Sequence, residues 1–334
     1  MPLSSSAVAC GGSGGARAPS TWTSCAGTAA PCRTPTSPFH TPSCRTATSG
    51  CARSRTSIPS RRPVTDAPKP VTVHDLLKMK QAGERIVVLT CYDALFARLL
   101  DASGVDILLV GDSVNQVLAG AETTLSATLE QMIYHTKIVR RGAERALVVC
   151  DMPFLTYQVS PAEAIRNCGR VMAETGCQGV KLEGGRPIAD TVRALVDVGI
   201  PVMGHLGLTP QSVHALGGYR VQGRDEQTAE RLKGDAQGLE EAGAFAVVLE
   251  LIPAPLASQI SKALTIPTIG VGAGPACDGQ VLVLHDMLGL NDRFNAKFVK
   301  RYAALAQEVR EAVALYAAEV REGRYPGPEH SFAK

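Results

Sequence analysis

Ile107-Leu108-Leu109-Val110-Gly111-Asp112-Ser113 decides the fold. Four consecutive apolar residues, two of them β-branched, followed at once by Gly, Asp and Ser, read as a parallel strand buried on both faces. Its carboxylate falls where the chain leaves the sheet. The same grammar recurs at 146–151 (ALVVCD), 179–184 (GVKLEG) and 245–250 (FAVVLE). Four buried strands thus each deliver an acid near their C-terminal end, and the segments between them read as helices. A (β/α)8 TIM barrel gathers all such strand ends on one face. Carboxylates collected there repel one another unless a cation or a bound proton holds them.

Outward from that stretch, the other strands fall at 86–90, 202–205, 268–271 and 281–284. Helices are expected at 92–102, 127–141, 161–176, 188–198, 227–242 and 255–264. Ser160-Pro161 supplies an N-cap and a Pro at the first helical position. Thr72 caps a short helix that fits as a plug for the lower end of the barrel. Eight β–α units in order favour a closed barrel over a doubly wound open sheet. A long helical region is expected over 294–321, with surplus to wrap the barrel or meet another subunit, then an extended arm from Tyr325.

Charge divides the chain at about residue 65. Residues 1–65 hold seven Arg, no Lys and no acid, which leaves 27 basic and 31 acidic residues for 66–334. The first segment is Ser, Thr, Pro, Arg, Gly and Ala without apolar periodicity, and is expected to be disordered. Its composition suits an organelle transit peptide. The absence of an amphipathic helix favours a dispensable extension, or an upstream start codon. The catalytic domain is then 66–334. Its mild acidity and the low aromatic content of the chain, 4%, give no reason to expect nucleic acid. No apolar run approaches the roughly 18 residues that cross a bilayer. Ten cysteines, five in each part and without a CxxC pair, argue for a reduced, cytoplasmic setting. Cys150 precedes Asp151 and is expected to point away from it as a buried thiol.

Alternation along strands places Lys181 with Glu183, Val110 with Asp112, Val149 with Asp151 and Val248 with Glu250 on one face. Asp112, Asp151, Lys181, Glu183 and Glu250 then share the barrel mouth. Any one acid reads equally well as a helix cap or an ion-pair partner of Lys181; four at equivalent positions weigh towards a site. Oxygen ligands without a Cys–His set suit Mg²⁺ better than zinc. The GxGxG at 270–274 is misplaced for a dinucleotide fingerprint and suits close backbone approach or a phosphate. His205, at a strand end, admits a functional or a hydrogen-bonded structural role. Ser113 reads as a ligand donor or a turn cap, and His135 as structural; His285 and Asp286 also read as structural, though their place after the last strand leaves a site role open.

Long motifs in one order carry a family resemblance: LLVGDSV (108–114), YHTKIVRRGA (134–143), DMPF (151–154), VKLEGG (180–185), GHLGLTPQSV (204–213), GGYRVQGR (217–224), GVGAG (270–274) and YPGPEHSF (325–332). Over about 71–333 the sequence resembles the ketopantoate hydroxymethyltransferase family of pantothenate biosynthesis. The resemblance implies Asp112 and Asp151 as Mg²⁺ ligands, with Glu183 binding the metal directly or through water. It implies one Mg²⁺ per subunit, Asp112, Ser113, Asp151 and Lys181 as substrate contacts, and Glu250 as the proton acceptor. Tyr92 and His205 fall on pocket positions. Where the family commonly has Glu-Cys-Val-Pro, this chain has Glu250-Leu251-Ile252-Pro253, with Glu and Pro kept.

The implied reaction moves a one-carbon unit from 5,10-methylenetetrahydrofolate to 3-methyl-2-oxobutanoate through a Mg²⁺-stabilised enolate, giving ketopantoate. A homo-oligomer, a decamer in the family, is implied as well. The rival readings are a Mg²⁺-dependent C–C lyase or mutase acting on a 2-oxo acid, and a non-catalytic 2-oxo-acid-binding barrel.

Overall fold

The computed structural model describes residues 69–332; the expectation of disorder over 1–65 lies outside them. Eight parallel strands close into a barrel in sequence order: β1 (Ile86–Thr90), β2 (Ile107–Val110), β3 (Leu147–Asp151), β4 (Gly179–Glu183), β5 (Val202–Gly207), β6 (Ala246–Glu250), β7 (Thr268–Val271) and β8 (Gly279–Leu282). The helices are α1 (Val73–Ala82), α2 (Ala94–Ala102), α3 (Val114–Val117), α4 (Leu129–Gly142), α5 (Pro161–Thr175), α6 (Ala189–Asp197), α7 (Glu226–Glu241), α8 (Ala254–Ala263), α9 (Leu284–Met287) and α10 (Leu305–Arg321).

The strands sort their side chains into two cores. Ile86, Val88, Ile107, Leu109, Leu147, Val149 and Val248 fill the barrel interior together with Leu76 of α1. Leu108, Val110, Val148, Cys150, Val180 and Leu182 form a separate layer against the helices. Both faces of β2 are therefore dry, which is why four apolar residues run without alternation. The plug expected from Thr72 is present: a Thr72–Asp75 capping box starts α1, and Leu76 seals the N-terminal ends of the strands. Lys80 fastens the plug by donating to the carbonyls of Ser261 and Ile266 and pairing with Asp278 at 3.0 Å. Ser160 caps α5 as expected, with Pro161 at its first position.

Four expectations are corrected. Val110 faces the helices, and Leu109 takes the interior place. Asp112 still reaches the mouth, because the chain has already left β2 and turns through Gly111 into α3. Second, the region over 294–321 is helical only from Leu305. Before that the backbone donors of Tyr302 and Leu305 turn back to the carbonyls of Met287 and Leu288 instead of continuing a helical ladder. Third, the connection from β7 to β8 holds only residues 272–278 and carries no helix. The eight repeating units are not all complete. The expected strand at 281–284 begins two residues earlier, and Leu284 starts α9.

Candidate active site

The C-terminal ends of β3, β4, β5 and β6, with the turn after β2, surround a cavity of about 620 Å³. Asp112, Asp151, Lys181 and Glu183 line it and are all nearly inaccessible to solvent. β4 makes the tightest contribution, since alternation sets Lys181 and Glu183 on the same face while Val180 and Leu182 anchor the other. The Lys181 ammonium lies 2.7 Å from Asp151 Oδ1, 4.0 Å from Glu183 Oε1 and 3.2 Å from His205 Nδ1. His205, opposite Glu183 in the β4–β5 register, stands 3.2 Å from Glu183 Oε1 and 3.3 Å from Glu250 Oε2. It links the cluster to the one acid of the set that is partly exposed.

Glycine makes two of these approaches possible. A Cβ on Gly111 would stand 2.7 Å from Ser113 Oγ and 3.4 Å from Asp151 Oδ2. A Cβ on Gly207, whose φ is 94°, would collide with the Glu250 carbonyl. One bulky residue lining the cavity, Leu251, also adopts left-handed backbone, with φ 45°. Such conformations cost of order 1–3 kcal/mol and concentrate where function demands a geometry.

Gln211 and Tyr157 escaped the sequence reading and hold the cluster together. The Gln211 side-chain amide donates to Asp112 Oδ2 and to the Met152 carbonyl, both at 2.9 Å. Its backbone N–H donates to Glu183 Oε2 at 2.9 Å. The Tyr157 hydroxyl accepts the Glu183 N–H at 2.9 Å and donates to Gln211 Oε1 at 2.9 Å. Their only signal in the sequence was Gln211's place in the motif after β5. Tyr92 joins the edge of the site through a 2.9 Å hydrogen bond with Ser113. His135 holds the Tyr92 carbonyl from α4, a structural role as expected.

Burial drives the electrostatics. Desolvation, reinforced by Asp151 and Glu183, pushes the Asp112 carboxyl up to about 8. Asp151 is raised for the same first reason, against the pull of Lys181. Desolvation pulls Lys181 down, but the acids around it outweigh that and hold it above its usual range. His205 is likewise opposed by burial and by Lys181, yet Glu183 and Glu250 raise it to about 9. Glu183 ends below the usual carboxylate range, because His205 and Lys181 overcome its desolvation.

Two cations against four acids leave negative charge to be neutralised. Asp151 Oδ1 and Glu183 Oε1 are buried and lack an aligned hydrogen-bond donor, although Lys181 and His205 lie close. Among the described residues no three His, Cys, Asp or Glu side chains converge as a ready metal cage. A cation that takes only one or two protein carboxylates suits that arrangement.

A closed parallel barrel with a buried acid–lysine–histidine cluster at its strand ends is that of a (β/α)8-barrel enzyme. Solved structures agree on the fold. A phosphonopyruvate hydrolase in complex with oxalate and Mg²⁺ superposes with a TM-score of 0.53 at 11% identity, covering 78% of this chain and 93% of that one. A phosphoenolpyruvate phosphomutase from Streptomyces platensis subsp. rosaceus gives 0.53 at 14%, covering 79% and 92%. Sequence goes further, and the chain belongs to the ketopantoate hydroxymethyltransferase family, whose model matches residues 70–328. A 3-methyl-2-oxobutanoate hydroxymethyltransferase from Pelobacter propionicus is 56% identical over 269 residues, covering 80% of this chain and all of that one. The enzymes of that name from Geobacter metallireducens and Chlorobaculum parvum are 55% and 53% identical, each covering 78% of this chain and 98% and 96% of their own length.

Proposed function

We propose that this enzyme transfers the one-carbon unit of 5,10-methylenetetrahydrofolate to C3 of 3-methyl-2-oxobutanoate. Water supplies the hydroxyl oxygen, and the products are 2-dehydropantoate (ketopantoate) and tetrahydrofolate. The observation that carries the reading is the family membership of a chain that keeps Asp112, Asp151, Lys181, Glu183 and Glu250 around one cavity.

The buried carboxyls of Asp112 and Asp151, in a cluster with more acids than cations, fit a divalent cation, one Mg²⁺ per subunit. Asp112 and Asp151 would hold it. Glu183 would face it through water, since Gln211 already donates to Oε2 and His205 stands against Oε1. When bound, Mg²⁺ supplies a Lewis acid for charge developing on the keto oxygen. Lys181 binds the substrate carboxylate, and Ser113, held by Tyr92, lines the same cavity as a second contact.

Glu250 accepts the C3 proton. An ordinary carboxylate, with pKa about 4, is a weak base for a ketone α-proton, so the reaction requires the resulting enolate to be held. His205 Nε2, 3.3 Å from Glu250 Oε2, aims the carboxylate. The carbanion at C3 then forms the new C–C bond to the one-carbon unit. Both substrates are small soluble molecules, the setting is the cytoplasm, and the working form is a homo-oligomer. No helix among the described residues is long and apolar enough to cross a membrane, and the five cysteines they contain are unpaired and buried.

The test is proton NMR of 3-methyl-2-oxobutanoate in D₂O with Mg²⁺, without and then with the folate. Wild type is expected to exchange the C3 proton and to turn over only with folate and Mg²⁺. Glu250→Gln is expected to bind the substrate but lose exchange and turnover together, by about 10²- to 10⁴-fold. Exchange at the wild-type rate in Glu250→Gln moves the base elsewhere, with His205 next. Absence of folate-dependent turnover in wild type sinks the reaction itself.

A further inference from the structure

The cavity holds a further acid that the reaction above leaves unused. Asp286, in α9 just past the end of β8, lines it and is only 6% exposed. Asn291 donates to its Oδ1 at 3.0 Å. Among the described residues no other side chain bonds or ion-pairs with this carboxylate, and Oδ2 is left without a partner. Clamping Asn291 therefore uses one lone pair of a group that can accept about four hydrogen bonds. Burial raises the carboxyl above its usual range, against the pull of Asn291 and Arg301.

A second polar group in the cavity is also left open. Thr124 lines it at 1% exposure, and its Oγ1 has no hydrogen-bond partner among the described residues. Its loop is fixed, because the Asn115 side chain donates to the Thr123 carbonyl and to Ser126 Oγ, both at 2.8 Å. Buried polar groups are nearly always satisfied, and each exception asks for an explanation. A ligand that fills the cavity supplies one.

Position narrows that ligand. In the closed strand order β8 lies four places from β4 and so across the barrel from it, with β6 midway. Lys181 and Glu183 mark the β4 side, Glu250 stands on β6, and Asp286 marks the β8 side. The oxo acid and its cation, assigned above to Asp112, Asp151 and Lys181, do not need the β8 side. A second oxo acid is disfavoured there, since its carboxylate would meet Asp286. Phe294 and Phe298, in the strap that follows Asp286, line the same cavity. Aromatic side chains with one buried carboxylate suit a flat, neutral ring that carries neighbouring N–H groups.

We propose that the β8 side of the cavity holds the pterin ring of the one-carbon donor, with Asp286 accepting from the ring N3–H and 2-amino groups. The inference rests on the folate-dependent reaction proposed above. The pyrimidine half of a pterin presents those two donors side by side, which matches the two oxygens of a carboxylate. Oδ1 keeps a second lone pair for the ring beside its bond from Asn291. Binding there brings the one-carbon unit to C3 from the side opposite Lys181, and Asp286 selects a donor that carries the 2-amino group.

Isothermal titration of the full chain with tetrahydrofolate, in the presence of Mg²⁺ and 3-methyl-2-oxobutanoate, tests this without turnover. Wild type is expected to bind. Asp286→Asn keeps the shape but sets an N–H against the ring donors. It is expected to bind tetrahydrofolate about 10- to 150-fold more weakly and 3-methyl-2-oxobutanoate as wild type does. Equal tetrahydrofolate affinity in a folded Asp286→Asn protein overturns the proposal and leaves the reaction standing. Loss of oxo-acid binding in that variant also overturns it, by showing that Asp286 shapes the whole mouth. Failure of wild type to bind tetrahydrofolate overturns both the proposal and the reaction it rests on. Should the variant fail to fold, the ligand is varied instead. 2-Desamino-2-methyltetrahydrofolate lacks one of the two donors and is expected to bind wild type about tenfold more weakly or worse; affinity equal to that of tetrahydrofolate refutes the contact.

Discussion

Replacing Gln211 by Leu isolates one contact on which the proposed metal site depends. Leu matches the bulk but removes the amide that donates to Asp112 Oδ2 at 2.9 Å. The backbone N–H to Glu183 is unaffected, and the Tyr157 hydroxyl keeps the Glu183 N–H and can donate to the Glu183 carbonyl at 3.0 Å instead. The bonds with the Met152 carbonyl and Gln158 are lost as well, but of the proposed metal ligands only Asp112 is touched, a buried carboxyl already pushed up to about 8. A hydrogen bond to a charged group contributes about 1.5–3 kcal/mol, and at about 1.4 kcal/mol per tenfold divalent-cation affinity should fall by about 10- to 150-fold. That range agrees with the usual effect of removing a hydrogen bond to a metal ligand. Isothermal titration with Mg²⁺, and Mn²⁺ as a paramagnetic reporter, measures affinity without turnover. Affinity within twofold of wild type in a folded Gln211→Leu protein would show that Gln211 does not orient a ligand.

Metal-free protein should lose thermal stability as pH rises from 6.5 to 9. His205, raised to about 9, contributes stability that is complete below 6.5 and disappears as pH passes through its folded value, while Asp112 takes on an unfavourable buried charge through about 8. Saturating Mg²⁺ should remove most of that fall, and melting curves that stay parallel with and without metal would contradict the assignment. Cys91 and Cys168, their thiols pushed up by burial to about 12, should resist alkylation at pH 8 in the native protein and react in denaturant; peptide mass spectrometry reads this directly. Deleting residues 1–65 should leave melting temperature and kcat unchanged, and a loss of several degrees or of most activity would show that the segment packs on the barrel.

The sequence was most readable where burial leaves a periodic trace. β4 at Gly179–Glu183 and β7 at Thr268–Val271 fall where expected, and helix starts followed Thr72 and Ser160. Lys181 and Glu183 were visible because alternation set them on one face of β4, and Glu250 because it shares a face with Val248. Asp112 reached the mouth for a different reason, through a turn, and the parity argument therefore misplaced Val110. Gln211 sits in a short 3-10 turn, Pro210–Ser212, and Tyr157 in the loop after β3, where no period constrains direction. Their roles depend on long-range contacts, 54 residues apart between the two and 99 from Gln211 to Asp112. The false helix over 294–304 had helical composition, but the Tyr302 N–H turns back to the Met287 carbonyl of α9.

The plug under the barrel bears on how the chain can be altered. Val71, just ahead of α1, bonds the Arg145 carbonyl at the entry to β3, and Leu76 shuts the interior from below. Residue 69 accordingly joins the molecule at the sealed end, with strands of about 17–20 Å between it and the open end. An affinity handle, fluorophore or surface tether attached immediately before this point begins on the side remote from substrate entry. Immobilising the enzyme through residue 69 should orient its working end towards the solution, which makes that attachment the natural choice for a sensor or a flow reactor.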